Sequence, residues 1–241
     1  MQNEIEKLMN FIDISNNIVF FGGAGVSTES GIPDFRSQDG LYNLKYKYPP
    51  ETILSHSFFM SNTSDFFGFY RDKMIYTDAK PNPAHIALAK LEDMGKLKTV
   101  ITQNIDGLHT AAGSKNVIEL HGSLHRNFCM NCKKRYTLEF MLKSEDIPLC
   151  SCGGIVRPDV VLYEEALDES VIQNAVSSLT NADLLIIGGT SLMVYPAAAF
   201  IDYFRGGKLV LINKSSTPHD YKADLIIRMS ICDVLMNVSN Y

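Results

Sequence analysis

The chain has 241 residues, 46% hydrophobic and 20% charged, with five cysteines and a formal net charge of −5. That is globular composition; it excludes a disordered or collagen-like chain and fits one large domain, or a domain with a small insert. No apolar run approaches the roughly 18 residues of a membrane helix, the N-terminus lacks the basic and apolar regions of a signal peptide, and the acidic balance offers no footprint for a nucleic-acid backbone. The expectation is a cytoplasmic protein without a membrane or direct nucleic-acid partner.

The first element predicted is a helix over Asn3–Ile14, where Ile5, Leu8, Met9 and Ile12 share one face. Ile18–Phe21 is a short apolar run ended by glycines, the pattern of a buried strand. Between about Gly31 and Lys80 no period is sustained, so a long functional loop with short helices is expected. Asn82-Pro83 then reads as a helix start, with a stop at Gly95. Further strands are expected at Thr99–Thr102, Val117–Leu120, Val160–Tyr163, Leu184–Ile187, Leu209–Ile212 and Leu225–Ile227. Helices are expected at Glu169–Leu179, Pro196–Phe204 and from Asp233 onward. Apolar strands alternating with amphipathic helices imply an α/β fold, a Rossmann-like parallel sheet covered on both faces. A Cys-bearing segment, about Phe128–Gly154, interrupts this alternation.

Gly23-x-Gly25 after a strand, followed by an expected helix start, is what a phosphate-binding turn needs: close backbone approach and N–H groups aimed at the anion. The third glycine of the dinucleotide fingerprint is replaced by Thr28, and no acidic residue ends a second strand. A tight turn without ligand therefore stays open as an alternative. The other strand ends favour a shared crevice, since they carry Gln103-Asn104-Ile105-Asp106, His121-Gly122, Gly188-Gly189-Thr190-Ser191 and Asn213-Lys214. Ligands of open parallel sheets bind beyond such carboxyl ends.

Cys129-x-x-Cys132 and Cys150-x-Cys152 are separated by 17 intervening residues. Two close thiolate pairs suit a tetrahedral, closed and hence structural zinc site, preferred here over two redox pairs. His121, between an apolar strand and Gly122, is placed to project into the crevice and act as a general base. A lone strand-end histidine is by itself more often structural. No Gly-x-Ser-x-Gly elbow is present, which argues against a serine hydrolase.

Taken in order, Gly23-Ala24-Gly25-Val26-Ser27, Gly31-Ile32-Pro33-Asp34-Phe35-Arg36, Thr102-Gln103-Asn104-Ile105-Asp106-Gly107-Leu108-His109 and Glu119-Leu120-His121-Gly122 resemble the sirtuin family of NAD-dependent protein deacylases, most closely its bacterial branch. So do the four-cysteine insert, Arg157-Pro158-Asp159-Val160-Val161, Gly189-Thr190-Ser191-Leu192 and Ile212-Asn213. The resemblance implies a large domain (about 1–34, 83–122 and 155–241) and a small one built from inserts at about 35–82 and 123–154. It implies deacetylation of protein lysine, with NAD+ consumed, nicotinamide released and O-acetyl-ADP-ribose formed, and one structural Zn2+ on Cys129, Cys132, Cys150 and Cys152.

His121 and Asn104 would be catalytic. Ala24, Gly25, Ser27, Thr28, Phe35, Arg36, Gln103, Ile105, Asp106, Gly189, Thr190, Ser191, Asn213, Ser230 and Ile231 would join them around the cofactor. Val161, Tyr163 and Val194 would take the acyl-lysine substrate, its backbone pairing between 162–164 and 193–195. A monomer is expected.

Two departures matter. Glu164 stands where the family usually has glycine, placing a carboxylate at the peptide groove that could favour basic flanking residues. Family members that remove acidic acyl groups carry tyrosine and, three residues on, arginine; here Tyr70 is followed by Lys73, which lacks the bidentate fork. Ordinary deacetylation is therefore preferred, with Tyr70 and Lys73 read as helix-surface residues. Rival readings are a dinucleotide-dependent oxidoreductase, a mono-ADP-ribosyltransferase, a silent NAD sensor and a zinc-ribbon binding module.

Overall fold

A computed structural model describes residues 2–35, 40–43 and 46–239. In chain order, helix α1 (Gln2–Ile14) leads into strand β1 (Ile18–Gly22), followed by short helices α2 (Pro50–Ile53), α3 (His56–Ser61) and α4 (Thr63–Phe69). Then come α5 (Pro83–Asp93), β2 (Leu97–Thr102), α6 (Leu108–Ala111), β3 (Val117–Glu119), β4 (Gly122–Cys129), β5 (Arg135–Tyr136) and α7 (Leu138–Lys143). The chain closes with β6 (Val156–Val160), α8 (Glu169–Asn181), β7 (Leu184–Gly188), a 3₁₀ segment Ala197–Tyr203, β8 (Lys208–Ile212), β9 (Leu225–Ile227) and α9 (Ile231–Ser239).

Six strands form one parallel sheet in the order β3-β2-β1-β7-β8-β9. The period of two along each strand sorts its side chains between two cores. Ile18 and Phe20 of β1 face a cluster with Leu8, Leu88 and Leu235, from α1, α5 and α9. Val19 and Phe21 face the opposite cluster, with Leu179 of α8 and Ile201 of the 3₁₀ segment. Strands buried on both faces read as continuous apolar runs, which is why the sequence marks them so plainly. Strand order reverses between β1 and β7, and that switch point is where such folds hold a ligand.

A second sheet, β5-β4-β6, is antiparallel and packs on the short helices through Phe59, Phe66, Phe67, Leu124, Met141 and Val156. Here the expectation for Val160–Tyr163 is corrected: the strand is Val156–Val160 and belongs to this smaller sheet, not the parallel one. The apolar run misleads because residues 161–163 cross from one unit to the other. Val161 donates its N–H to the His121 carbonyl at 3.0 Å and Tyr163 to the Leu54 carbonyl at 2.9 Å. The expected helix at Pro196–Phe204 is a 3₁₀ segment, and the last helix starts two residues earlier than Asp233.

Asn82 is the cap the sequence marks. Its Oδ1 accepts the Ala84 N–H at 3.0 Å, while His85 Nδ1 accepts the Asn82 N–H at 3.3 Å. Asn82 Nδ2 also donates to the Val26 carbonyl at 2.7 Å, tying α5 to the glycine loop.

Candidate functional site

The crevice begins where β1 and β7 end. Gly25 donates its N–H to the Gly189 carbonyl at 2.8 Å, so the two glycine loops lie backbone against backbone. A Cβ on Gly25 would meet the Gly189 carbonyl oxygen at 2.8 Å. Glycine is thus required by loop-on-loop packing. Gly25→Ala is expected to cost about 1–3 kcal/mol through overpacking; a thermal melt checks this, and an unchanged Tm would show that the loops part freely.

The helix start expected after the loop is 3₁₀ in kind: two short 3₁₀ helices, Ala24–Val26 and Thr28–Ser30, stand there. The N–H groups of Gly25, Val26 and Ser27 go to the carbonyls of Gly189, Gly23 and Ala24. Thr28 Oγ1 donates to the Gly25 carbonyl at 3.1 Å.

Beside this loop lies a polar cluster from the end of β2. Asn104 Nδ2 donates to Ser27 Oγ at 3.0 Å, and Ser27 Oγ donates to Asp106 Oδ2 at 2.7 Å. Asp106 Oδ1 accepts the Leu108 N–H at 2.9 Å, capping the turn into α6. Each oxygen keeps a further lone pair. Gln103 Nε2 donates to Thr190 Oγ1 at 3.0 Å, bridging β2 to β7. Ala24, Ser191 and Asn213 are half-buried around the same strand ends. Ser230 and Ile231 are buried at the start of α9, with the Ser230 hydroxyl on the Glu29 carboxylate. Arg36 lies outside the described residues.

His121 sits at the seam between the two sheets. Its Nδ1 is 2.9 Å from the Gln103 carbonyl, which can only accept, so Nδ1 carries the proton and Nε2 is the ring's acceptor. Burial lowers the His121 pKa, and the carbonyl partner opposes this in part. The ring is thus a neutral base at pH 7. Gly122, at φ 78°, lets β4 close on β6 immediately after it: a Cβ there would stand 1.9 Å from the Asp159 carbonyl oxygen. His109 is different. It is buried against His85 and Phe20, and burial pushes its pKa down to about 3, leaving it a neutral core group.

Phe35 and Ile105 line the face toward the small unit, with Phe35 against the Tyr42 ring at 5.5 Å. The Tyr42 and Tyr163 hydroxyls hydrogen-bond, joining the segment before α2 to the crossing at 161–163. Tyr42 was invisible in the sequence, since it falls in the stretch without periodicity. Val161 is half-buried next to His121, and Val194, in the loop after β7, gives its carbonyl to the Ala198 N–H at 2.8 Å.

Glu164 turns both carboxylate oxygens onto Ser57 of α3, accepting its backbone N–H at 2.9 Å and its hydroxyl at 3.0 Å. Glu165 holds Arg157 at 2.6 and 3.0 Å. Its burial would raise its pKa, but the guanidinium, the Leu162 N–H and His56 together bring it down to about 2. Tyr70 is fully buried among Phe66 and Phe67, not on a helix surface, and Lys73 pairs with Asp72 at 3.2 Å.

The four cysteines converge at the far end of the small sheet. Their sulfurs all lie within 4.8 Å of one another, with Cys129–Cys152 at 3.5 Å and Cys132–Cys150 at 3.6 Å. Those spacings are too long for S–S bonds and close to the roughly 3.8 Å edge of a tetrahedron with Zn–S bonds of about 2.3 Å. Each pair rides on a turn: Lys133 donates its N–H to the Cys129 carbonyl at 3.0 Å, and Gly153 to the Cys150 carbonyl at 2.8 Å. The shorter Cys150-x-Cys152 spacing is thereby accommodated. The Cys152 N–H and the Tyr136 hydroxyl draw the Cys150 thiol down to about 6, toward the thiolate that a metal needs. The set fits one structural Zn2+.

A parallel sheet whose strand order reverses between β1 and β7, joined to a smaller antiparallel sheet with four converging cysteines, defines an α/β fold of the kind that holds ligands at that reversal. The sequence pattern of the Sir2 family matches residues 23–196. An NAD-dependent protein deacetylase of Clostridium acetobutylicum is 62% identical over 240 residues, covering 98% of each chain. A solved Sir2 complex with deacetylated p53 peptide and 3'-O-acetyl-ADP-ribose superposes with a TM-score of 0.91 at 40% identity, covering 98% of each chain. A Sir2 complex with p53 peptide and NAD+ gives 0.87 at 39% identity, covering 98% of this chain and 97% of that one. The chain belongs to the Sir2 family.

Proposed function

We propose that the chain is an NAD-dependent protein lysine deacetylase, which moves the acetyl group of acetyl-lysine to ADP-ribose and releases nicotinamide and O-acetyl-ADP-ribose. The observation that carries this is His121, a half-buried neutral imidazole whose protonated Nδ1 is anchored on Gln103 at 2.9 Å, at the seam of the two units. NAD+ when bound supplies an electrophilic ribose carbon and a leaving nicotinamide. Nε2 of His121 takes the proton of a ribose hydroxyl. Asn104, held on Ser27, and Asp106 with Ile105 orient the nicotinamide end, and Phe35 keeps water from it.

Ala24, Gly25, Thr28, Gln103, Gly189, Thr190, Ser191 and Asn213 line the remainder of the dinucleotide, with Ser230 and Ile231 at its adenine end. Val161, Tyr163 and Val194 take the lysine and its peptide, at the place where residues 161–163 leave the three-stranded sheet. The six-stranded unit is the cofactor domain; the short helices and the metal-bearing sheet are the small one. Among the described residues no helix is long and apolar enough to cross a membrane. We assign the protein to the cytoplasm as a monomer without nucleic-acid partners, in keeping with its net charge of −5.

The test is mass spectrometry of an acetyl-lysine peptide with and without NAD+, beside its succinyl counterpart. NAD+-dependent loss of acetyl with O-acetyl-ADP-ribose formed is expected, and slow turnover of the succinyl peptide, because Lys73 is paired with Asp72 and Tyr70 is buried. ADP-ribose left on protein, or NADH formed, would replace this reading with transferase or oxidoreductase.

A further inference from the structure

Glu164 has φ at 74°, in the left-handed region where an L side chain is disfavoured and glycine is the ordinary occupant. Such backbone persists where its surroundings over-determine it. Here they are explicit. Glu164 Oε2 accepts the Ser57 backbone N–H at 2.9 Å, and Oε1 accepts the Ser57 hydroxyl at 3.0 Å. Ser57 is the second residue of α3, so its N–H is one that a helix leaves without an internal partner, and a carboxylate there is favoured.

The flanking backbone is fastened to the same corner. The Tyr163 N–H goes to the Leu54 carbonyl at 2.9 Å, and the Tyr163 carbonyl accepts the His56 N–H at 3.0 Å. One residue on, Glu165 Oε1 lies 2.8 Å from His56 Nδ1. Two successive carboxylates therefore grip successive residues of α3, with the left-handed turn between Tyr163 and the start of that grip. On its other side Tyr163 meets the Tyr42 hydroxyl.

The geometry points to Glu164 as a positioning residue for acyl-lysine binding: its carboxylate on Ser57 fixes the left-handed turn that presents Tyr163 and the 162–164 backbone to the peptide. This rests on the deacetylase reading above. It assigns Glu164 a role through backbone geometry, distinct from attraction of basic peptides by its charge.

The experiment compares the full chain with Glu164→Gln, Glu164→Gly and Glu164→Ala. It reads kcat, KM for an acetyl-lysine peptide, KM for NAD+ and hydrogen exchange of the 161–165 amides. Alanine keeps the left-handed demand and loses both bonds, so peptide KM rises about tenfold. Glycine lifts the demand without restoring the bonds, so the rise is about threefold. Glutamine still offers an acceptor to the Ser57 N–H and stays within about twofold. KM for NAD+ is unchanged throughout, and amide exchange accelerates in the same order. Glutamine as damaging as alanine, or a loss confined to peptides with basic flanks, would overturn the proposal in favour of a charge effect. Parallel changes in kcat and both KM values would overturn it in favour of general destabilisation. An active wild type with an unchanged variant series overturns this proposal alone; a wild type that turns over no acetyl-peptide overturns the deacetylase reading and the proposal with it.

Discussion

His121→Ala is expected to lower deacetylation by about 10²–10⁴-fold, the range a positioned general base supplies, while NAD+ still binds. The ring is oriented by the bond from Nδ1 to the Gln103 carbonyl at 2.9 Å, and Gln103 is itself fixed through Nε2 to Thr190 Oγ1 at 3.0 Å. Removing the imidazole therefore leaves the crevice walls standing. Mass spectrometry would find acetyl-peptide retained and little O-acetyl-ADP-ribose. The pH dependence has a definite sign. The base must be neutral, and burial lowers its pKa below the ordinary histidine value near 6.5. The acid limb of kcat/KM should consequently lie below pH 6.5, with activity falling only as the ring protonates. A limb centred above pH 7, or a variant as active as wild type, would remove His121 from the role of base.

The parallel sheet was readable because its strands are buried on both faces. Ile18–Phe21 and Leu184–Ile187 are unbroken apolar runs, and Asn82-Pro83 is a cap whose hydrogen bonds the structure contains. The Val160–Tyr163 run deceived for the same reason: it is apolar because it passes between two cores, and beyond Val160 the N–H groups of Val161 and Tyr163 go to His121 and Leu54 instead of a strand of the parallel sheet. Glycine at positions 23 and 25 was visible, but its cause was not. Composition marks a backbone that comes close to something, and here that something includes the Gly189 loop. Ser27, Asn104 and Asp106 were named singly through the resemblance; that they form one chain of hydrogen bonds depends on two loops 77 residues apart. Tyr42 and the grip of Glu164 on Ser57 had no local signal at all, because they join segments whose meeting only the tertiary fold decides.

Removal of the metal is the second large effect expected, and it reaches the active site without touching it. The three-stranded sheet has β5 of only two residues, and its cysteine end carries long turns at 130–134 and 150–154. Ordering those turns costs conformational entropy that a two-residue strand does little to offset. Four thiolates on one Zn2+ would supply that stabilisation, which in small zinc modules is on the order of 10 kcal/mol. The same sheet borders the seam proposed as catalytic: β4 starts at Gly122, beside His121, and β6 ends at Val160, beside Val161. Cys132→Ser, or prolonged chelation, should therefore release one zinc per chain and speed amide exchange across residues 122–160. Deacetylation should fall at least about tenfold, while the six-stranded sheet keeps its protection. Cys132 is exposed, so the substitution itself removes no core packing. Added zinc should restore activity after chelation but not in the variant. If chelation left exchange and activity unchanged, or if oxidation paired the thiols at full activity, the cysteines would be two redox pairs and the seam would have to be held by the Phe59, Phe66 and Val156 core alone.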